Sequence, residues 1–365
     1  MDKKFMENAL NLSLLAGRAV KTNPLVGAVI VKDGRIIGEG YHKEFGGAHA
    51  EEQAILSAKE NIEGASIYVT LEPCSHFGKR PPCANLLIEK KVKRVIVACL
   101  DPNPKVAGRG VKLLQEAGIQ VDIGVMEKEC KKVNEAFFYH IQHKKPFVVM
   151  KTAMTLDGKI ASRTGSSKWV SSEESRKKVH ELRAKLDGIM VGINTVLKDD
   201  PSLNVRGVEG EDPIRIIVDS KLRIPLAAKV LNLESKSKTI IATTKLYDKA
   251  KMKELQALPM VEVMIVKDKD GRVDLTNLME ELYKIQIGSI LLEGGGTLNF
   301  QMLKDGLVAK LISFIAPKII GGKEAKTPVE GQGIDLMDHA INIEDLEVRQ
   351  VGKDICLEGY ICSQE

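Results

Sequence analysis

The chain has 365 residues, 44% of them hydrophobic and 28% charged, with a formal net charge of +5. That length exceeds what one typical hydrophobic core organises and implies two domains. Its longest apolar runs, such as VGAVIV and RVIVACL, fall well short of the roughly 18 residues of a membrane span, and its modest basicity suits a phosphorylated ligand better than nucleic acid.

In chain order, the first twenty residues, MDKKFMENALNLSLLAGRAV, interrupt their apolar positions with acidic and amide side chains. This predicts an amphipathic helix and not an export signal, so the expected location is cytoplasmic. Short β-branched runs then alternate with helical patterns. Strands are expected over 25–31 and 35–41, a helix opening at HAEE (49–52), then SIYVTL, ANLLIEKK, RVIVACL, GVKLLQEAG, QVDIGV and one long helix through MEKECKKVNEAFF. Such alternation predicts a layered α/β domain. A polar, basic helix end followed by a strand at Pro146 puts the domain boundary near 141–146, giving domains 1–144 and 145–365. The second part alternates again: PFVVMKTAM, a helix around SSEESRKKVHELRAK, GIMVG, IRIIVD, TIIATT, VEVMIV, a helix through NLMEELYKI, SILLEGGGTLNFQML and LISFIAPKII, with a β-rich end. It too is expected to be α/β.

The chemistry concentrates at two places. His49-Ala50-Glu51 opens a helix, and Pro73-Cys74 follows a strand, with Cys83 nine positions beyond after eight intervening residues (75–82). One imidazole and two thiolates are three ligands for a catalytic zinc whose fourth position is left to water. Glu51, two residues from His49, points to another side of the helix and suits a proton shuttle. His-x-Glu with Pro-Cys…Cys is the signature of zinc base deaminases, although that signature has two residues between the cysteines. A purely structural site would need a fourth ligand, for which His76 is nearest. The other four cysteines, Cys99, Cys130, Cys356 and Cys362, read as core thiols without an assigned role. The second place is Glu293-Gly294-Gly295-Gly296-Thr297-Leu298, a strand meeting a glycine turn that opens a helix, where backbone N–H groups can cradle a phosphate. It is neither a Rossmann fingerprint nor a Walker motif.

The His49-Ala50-Glu51, Pro73-Cys74 and Cys83 arrangement, with Asn23-Pro24-Leu25-Val26-Gly27, Gly40-Tyr41-His42 and Asp101-Pro102-Asn103-Pro104, resembles the deaminase half of the bifunctional riboflavin-biosynthesis deaminase/reductase family, RibD/RibG. Met150-Lys151-Thr152-Ala153-Met154-Thr155-Leu156-Asp157-Gly158, Gly192-Ile193-Asn194-Thr195, Asp199-Asp200-Pro201-Ser202-Leu203-Asn204-Val205-Arg206 and Glu293-Gly294-Gly295-Gly296 are similar to its reductase half. The resemblance spans essentially the whole chain. It implies a cytidine-deaminase-like three-layer α/β domain (1–144) and a dihydrofolate-reductase-like α/β domain (145–365) that uses NADPH. It also implies zinc on His49, Cys74 and Cys83 with Glu51 as catalytic acid/base, and pocket roles for Asn23, His42, Lys79, Asp101 and Asn103. Ala153, Trp169, Thr195, Asp199, Ser220, Gly294, Gly295, Gly296, Thr297 and Leu298 become cofactor contacts. Ser167, Arg183, Leu203, Arg206 and Glu293 become substrate contacts.

Arg183 and Arg206 have a separate physical case, since a guanidinium holds a phosphate through paired hydrogen bonds. Arg183 could equally be a solvated helix face, and Trp169 a core filler. The implied activity is hydrolytic deamination of a diaminopyrimidine ribotide followed by NADPH-dependent reduction of its ribosyl group. The expected partners are small phosphoribosyl pyrimidines, without nucleic acid or membrane; oligomeric state, homo-oligomer included, stays open. Two rivals stand beside this reading: a nucleoside or tRNA base deaminase with an unrelated second domain, and a zinc-stabilised binding module without turnover.

Overall fold

The computed structural model describes residues 1–75, 81–103 and 107–362. The chain folds as two compact units, Met1–Lys144 and Lys145–Glu365. In the first, helix α1 (Asp2–Leu14) precedes strands β1 (Gly27–Lys32) and β2 (Arg35–Tyr41), helix α2 (Ala50–Ser57), β3 (Ser66–Val69) and α3 (Cys83–Glu89). β4 (Arg94–Val97), α4 (Arg109–Glu116), β5 (Gln120–Ile123), α5 (Glu127–Val133) and α6 (Glu135–His143) complete it. The strands lie in the order β2-β1-β3-β4-β5. β1 runs antiparallel to both neighbours, and β3, β4 and β5 run parallel.

Period-two alternation explains the three layers. Ala28 and Ile30 of β1 join Ala50 and Ala54 of α2 and Ala84 and Leu87 of α3 on one face. Val29 and Val31 meet Phe5, Met6 and Ala9 of α1 on the other. Cys99 and Cys130 are buried in that second core, and burial pushes both thiols up to about 12. In this unit they are packing residues.

The long helix expected through 126–138 is instead two, α5 and α6, joined at Asn134 (φ −102°, ψ 17°). Its side chain is the reason. Asn134 Oδ1 accepts from the Leu25 N–H at 2.8 Å and Nδ2 donates to the Leu25 carbonyl at 2.9 Å, so this buried amide satisfies the backbone entering β1.

The second unit carries β6 (Phe147–Thr155), α7 (Glu173–Lys185), β7 (Gly188–Gly192), α8 (Ile193–Asp199), β8 (Ile214–Val218), β9 (Thr239–Thr243), α9 (Lys249–Gln256) and β10 (Val261–Ile265). The short pair β11 (Asp268–Lys269) and β12 (Arg272–Val273) follows, then α10 (Leu275–Lys284), β13 (Ser289–Leu292), α11 (Gly296–Lys304), β14 (Lys310–Ala316), β15 (Ile343–Val351) and β16 (Asp354–Ile361). Nine strands form one sheet, β10-β9-β8-β7-β13-β6-β14-β16-β15. It is parallel from β10 to β14, with β16 and β15 added antiparallel. Ser172 caps α7 by accepting from the Ser175 N–H. The helices α8 and α9 and the β11–β12 hairpin were not expected from the sequence pattern. No helix among the described residues is long and apolar enough to cross a membrane.

Replacing Asn134 with Ala leaves the Leu25 N–H and carbonyl without the amide and should destabilise the first unit by about 1–3 kcal/mol. Urea unfolding of the variant against the parent protein measures this, and an unchanged midpoint would refute it.

Candidate metal centre and strand-end cleft

His49 is the N-cap residue of α2, Cys83 is the first residue of α3, and Cys74 lies in the segment that leaves β3. Nδ1 of His49 stands 3.3 Å from Sγ of Cys83 and 3.5 Å from Sγ of Cys74. Tetrahedral zinc, with bonds of about 2.1 Å to nitrogen and about 2.3 Å to sulfur, sets that edge at about 3.6 Å. All three ligand atoms lie within 4.8 Å of one another. The geometry therefore fits one zinc ion.

The protonation pattern fits it as well. Cys74 is pulled down to about 4, first by its hydrogen bond with the Cys83 thiol, and that same bond pushes Cys83 well up. Cys74 also accepts from the Cys83 backbone N–H at 3.2 Å, and the hydrogen bond to Cys74 raises His49. One thiolate is in place beside the positive ends of two helices, and a cation would displace the proton held between the sulfurs. His76 lies outside the described residues.

Glu51 sits in the first turn of α2, 3% exposed, with its carboxyl hydrogen-bonded to Cys83. Burial, reinforced by the Cys74 thiolate, pushes it up to about 7. His42 is buried 5.7 Å from His49, ring edge against ring face. Burial lowers its pKa. The neutral ring donates from Nδ1 to the Ala48 carbonyl at 3.1 Å and accepts at Nε2 from Nδ2 of Asn23 at 3.2 Å. Asn23, His42, His49, Glu51, Cys74 and Cys83 are thus gathered in one place. Asp101 and Asn103 are tied to each other, Asn103 N–H donating to Asp101 Oδ1 at 2.7 Å. The Asp101 N–H donates to Glu72 Oε2 at 3.2 Å, two residues before Cys74. Lys79 lies outside the described residues.

In the second unit the expected contacts gather at the carboxyl ends of four adjacent parallel strands. Ser220 follows β8, Thr195 and Asp199 lie on α8 after β7, Gly294 to Leu298 follow β13, and Ala153 is near the end of β6. From β7 the chain passes outward to β8, whereas from β13 it passes by α11 to β14 on the other side of β6. Neighbouring strands whose exits diverge make a ligand crevice at this switch point. Gly294 admits a close approach, since a side chain there would lie 2.8 Å from Asn299 Oδ1, while Gly295 faces Thr195 Oγ1 at an ordinary contact distance, 3.7 Å from where a Cβ would stand. That Oδ1 is buried without a hydrogen-bond partner. Ser220 is partly engaged, its Oγ accepting from the Val273 N–H at 3.0 Å.

Trp169 is 61% exposed with the Arg176 guanidinium 4.5 Å from its ring centroid, so it does not fill a core. Ser167 and Arg206 are exposed and Leu203 is buried. Arg183 is neither a solvated helix face nor an open phosphate fork. Its Nε and Nη2 donate to Glu293 at 2.8 and 3.1 Å, and Nη1 donates to the Asn204 carbonyl at 3.1 Å. Lys151 reaches the same carboxylate at 3.3 Å. Burial alone would raise Glu293, but Arg183 and Lys151 outweigh it and hold it at about 2. Lys151 was not singled out as a site residue. Its signal was a lysine inside the apolar run FVVMKTAM, where a half-buried ammonium needs an anion.

Residues 146–357 match the RibD C-terminal domain family, and residues 1–99 match the cytidine and deoxycytidylate deaminase zinc-binding region. The riboflavin biosynthesis protein RibD of Actinobacillus pleuropneumoniae is 45% identical over 362 residues, covering 99% of this chain and 96% of that one. The chain belongs to the RibD family. The RibD of Aquifex aeolicus is 44% identical over 98% of both chains. A crystal structure of a diaminohydroxyphosphoribosylaminopyrimidine deaminase/5-amino-6-(5-phosphoribosylamino)uracil reductase from Thermotoga maritima superposes with a TM-score of 0.87 at 37% identity, over 99% of both chains. Acinetobacter baumannii RibD does so at 0.86 and 36%, also over 99% of both. This RibD-family chain thus pairs a cytidine-deaminase-like domain with a RibD reductase domain.

Two outcomes follow from the geometry. Metal-replete protein should carry one zinc per chain by elemental analysis, and Cys74→Ser should lose it; zinc retained by that variant would remove Cys74 from the ligand set. Glu293→Gln strands two cations and should cost about 3 kcal/mol. Because the folded pKa of Glu293 is depressed to about 2, its contribution is complete above the unfolded value of about 4.3. The penalty should therefore be constant from neutral pH down to that value and vanish as pH falls through 2, as read from unfolding midpoints of parent and variant.

Proposed function

We propose that the chain is a cytoplasmic bifunctional enzyme of riboflavin biosynthesis. It deaminates 2,5-diamino-6-(5-phosphoribosylamino)pyrimidin-4(3H)-one to 5-amino-6-(5-phosphoribosylamino)uracil and then reduces the ribosyl group to ribityl with NADPH. The observation that carries this reading is the three-ligand centre with a buried carboxyl beside it, in a chain that matches RibD proteins over 99% of its length.

His49, Cys74 and Cys83 would hold zinc, which would supply a water made nucleophilic near neutral pH. Glu51 lies off the ligand row yet in contact with Cys83, so it takes the proton from the attacking water and delivers it to the departing amine. Asn23 and the neutral His42 line the pyrimidine side of the centre. Asp101 and Asn103, with Lys79, take the phosphoribosyl tail.

NADPH supplies the hydride of the second reaction, and the protein aligns it. Gly294, Gly295, Gly296, Thr297 and Leu298 at the α11 start would hold its phosphate through backbone N–H groups. Ala153, Trp169, Thr195, Asp199 and Ser220 complete the cofactor contacts along the four strand ends. Ser167, Leu203 and Arg206 contact the substrate together with the Arg183–Glu293 pair, in which Arg183 acts as a fixed partner of the carboxylate.

A paired assay on the diaminopyrimidine ribotide tests the reading. Ammonia should appear without NADPH, and NADPH should be consumed only after ammonia has formed; silence in both channels would remove the substrate assignment. Glu51→Gln should keep its zinc and its reductase activity while ammonia release falls at least about 100-fold. An ammonia-releasing variant would end the role given to Glu51.

A further inference from the structure

Glu72 is a charged side chain with only 4% exposure, immediately before Pro73-Cys74. Its carboxylate accepts four backbone N–H groups. Oε2 takes Asp101 at 3.2 Å and Gly108 at 2.9 Å; Oε1 takes Gly110 at 2.9 Å and Val111 at 3.2 Å. The last two belong to the first turn of α4, whose positive end favours an anion. Its own backbone N–H donates to the Cys99 carbonyl at 3.0 Å.

The approach is close on the other side too. A Cβ on Gly110 would lie 2.0 Å from the Pro73 carbonyl oxygen, so only glycine lets α4 rest on the peptide leading to Cys74. One carboxylate therefore joins three things: the strand exit that presents a metal ligand, the start of α4, and Asp101 with Asn103 attached to it.

We infer that Glu72 is a positioning residue that sets the distance between the zinc ligand Cys74 and the substrate-holding Asp101 and Asn103. The inference deepens the deaminase reading above and rests on it. Reacting atoms must stand about 3–3.5 Å apart, and a displacement of about 1 Å can cost about 100-fold. Cys74 and Asp101 sit on different segments leaving neighbouring parallel strands, β3 and β4, and the Glu72 carboxylate is a direct link between them. Both of its carboxylate oxygens are taken up by backbone N–H groups, so it acts through the segments it joins.

The test is Glu72→Gln in the full chain, read by zinc content, by the KM and kcat of ammonia release, and by reductase kinetics. A glutamine keeps one acceptor oxygen and turns an NH2 group toward two N–H donors. Zinc content and reductase kinetics should match the parent, while kcat for ammonia release falls about tenfold or more and KM changes less. Gly110→Ala, which pushes α4 from Pro73, should give the same split. An unchanged kcat in both variants would overturn the inference. So would loss of zinc in Glu72→Gln, which would make the residue part of the ligand scaffold. A parent protein that releases no ammonia would sink the deaminase reading itself, an outcome distinct from a variant that behaves like an active parent.

Discussion

The centre in the first unit depends on how closely α2 lies on β2. A Cβ on Gly40 would fall 2.3 Å from the Ala54 nitrogen and 2.6 Å from the Ala50 carbonyl oxygen, and one on Gly38 would fall 2.4 Å from the Ala54 carbonyl oxygen. Helix backbone rests on strand backbone with no side chain between. Ser57 stitches the far end of α2 to Glu39 in both directions, accepting from its N–H and donating to its carbonyl. The start of α2 is thereby fixed beside His42 at the end of β2, and from that start come His49 and Glu51. A side chain at Gly40 would lift the helix by about the length of a C–C bond, 1.5 Å, which exceeds the tolerance of a ligand edge near 3.5 Å.

Glu51, Glu72 and the part-buried Glu293 show three ways for a fold to hold a carboxyl. Glu51 has a thiolate nearby and loses solvation, so its acid form persists toward neutrality. Glu293 is part-buried, and Arg183 and Lys151 keep it an anion. Glu72 faces four backbone N–H groups and ties segments together. The difference between the proposed proton carrier, the ion-pair hub and the proposed strut lies in what surrounds the same side chain.

That difference marks the limit of what the sequence discloses. His49, Cys74 and Cys83 were legible because soft ligands at element boundaries have few other uses in a reduced chain. Both α/β units were legible because buried parallel strands read as β-branched runs. What a charged side chain touches was not legible. Arg183, in KKVHELRAK, carries the pattern of a solvated helix face, and its partner lies 110 residues away. Asn134 lies mid-pattern in a helical run, and only its pairing with Leu25 shows why the helix divides there. The helices α8 and α9, of seven and eight residues, are too short for periodicity to declare itself.

Both sites use the carboxyl ends of parallel strands, and the two proposed chemistries explain why they occupy separate units. Deamination needs water at the reacting carbon and a proton relay beside it, which the end of β3, the starts of α2 and α3, and Glu51 provide within one small cluster. Hydride transfer needs an extended cofactor laid along several strand ends and kept from competing water. Four adjacent parallel strand ends in the nine-stranded sheet provide that length, whereas in the five-stranded sheet the reversed β1 leaves only β3, β4 and β5 as adjacent parallel strands. A single cleft would have to admit and exclude water at once; placing each reaction at its own strand ends removes that conflict.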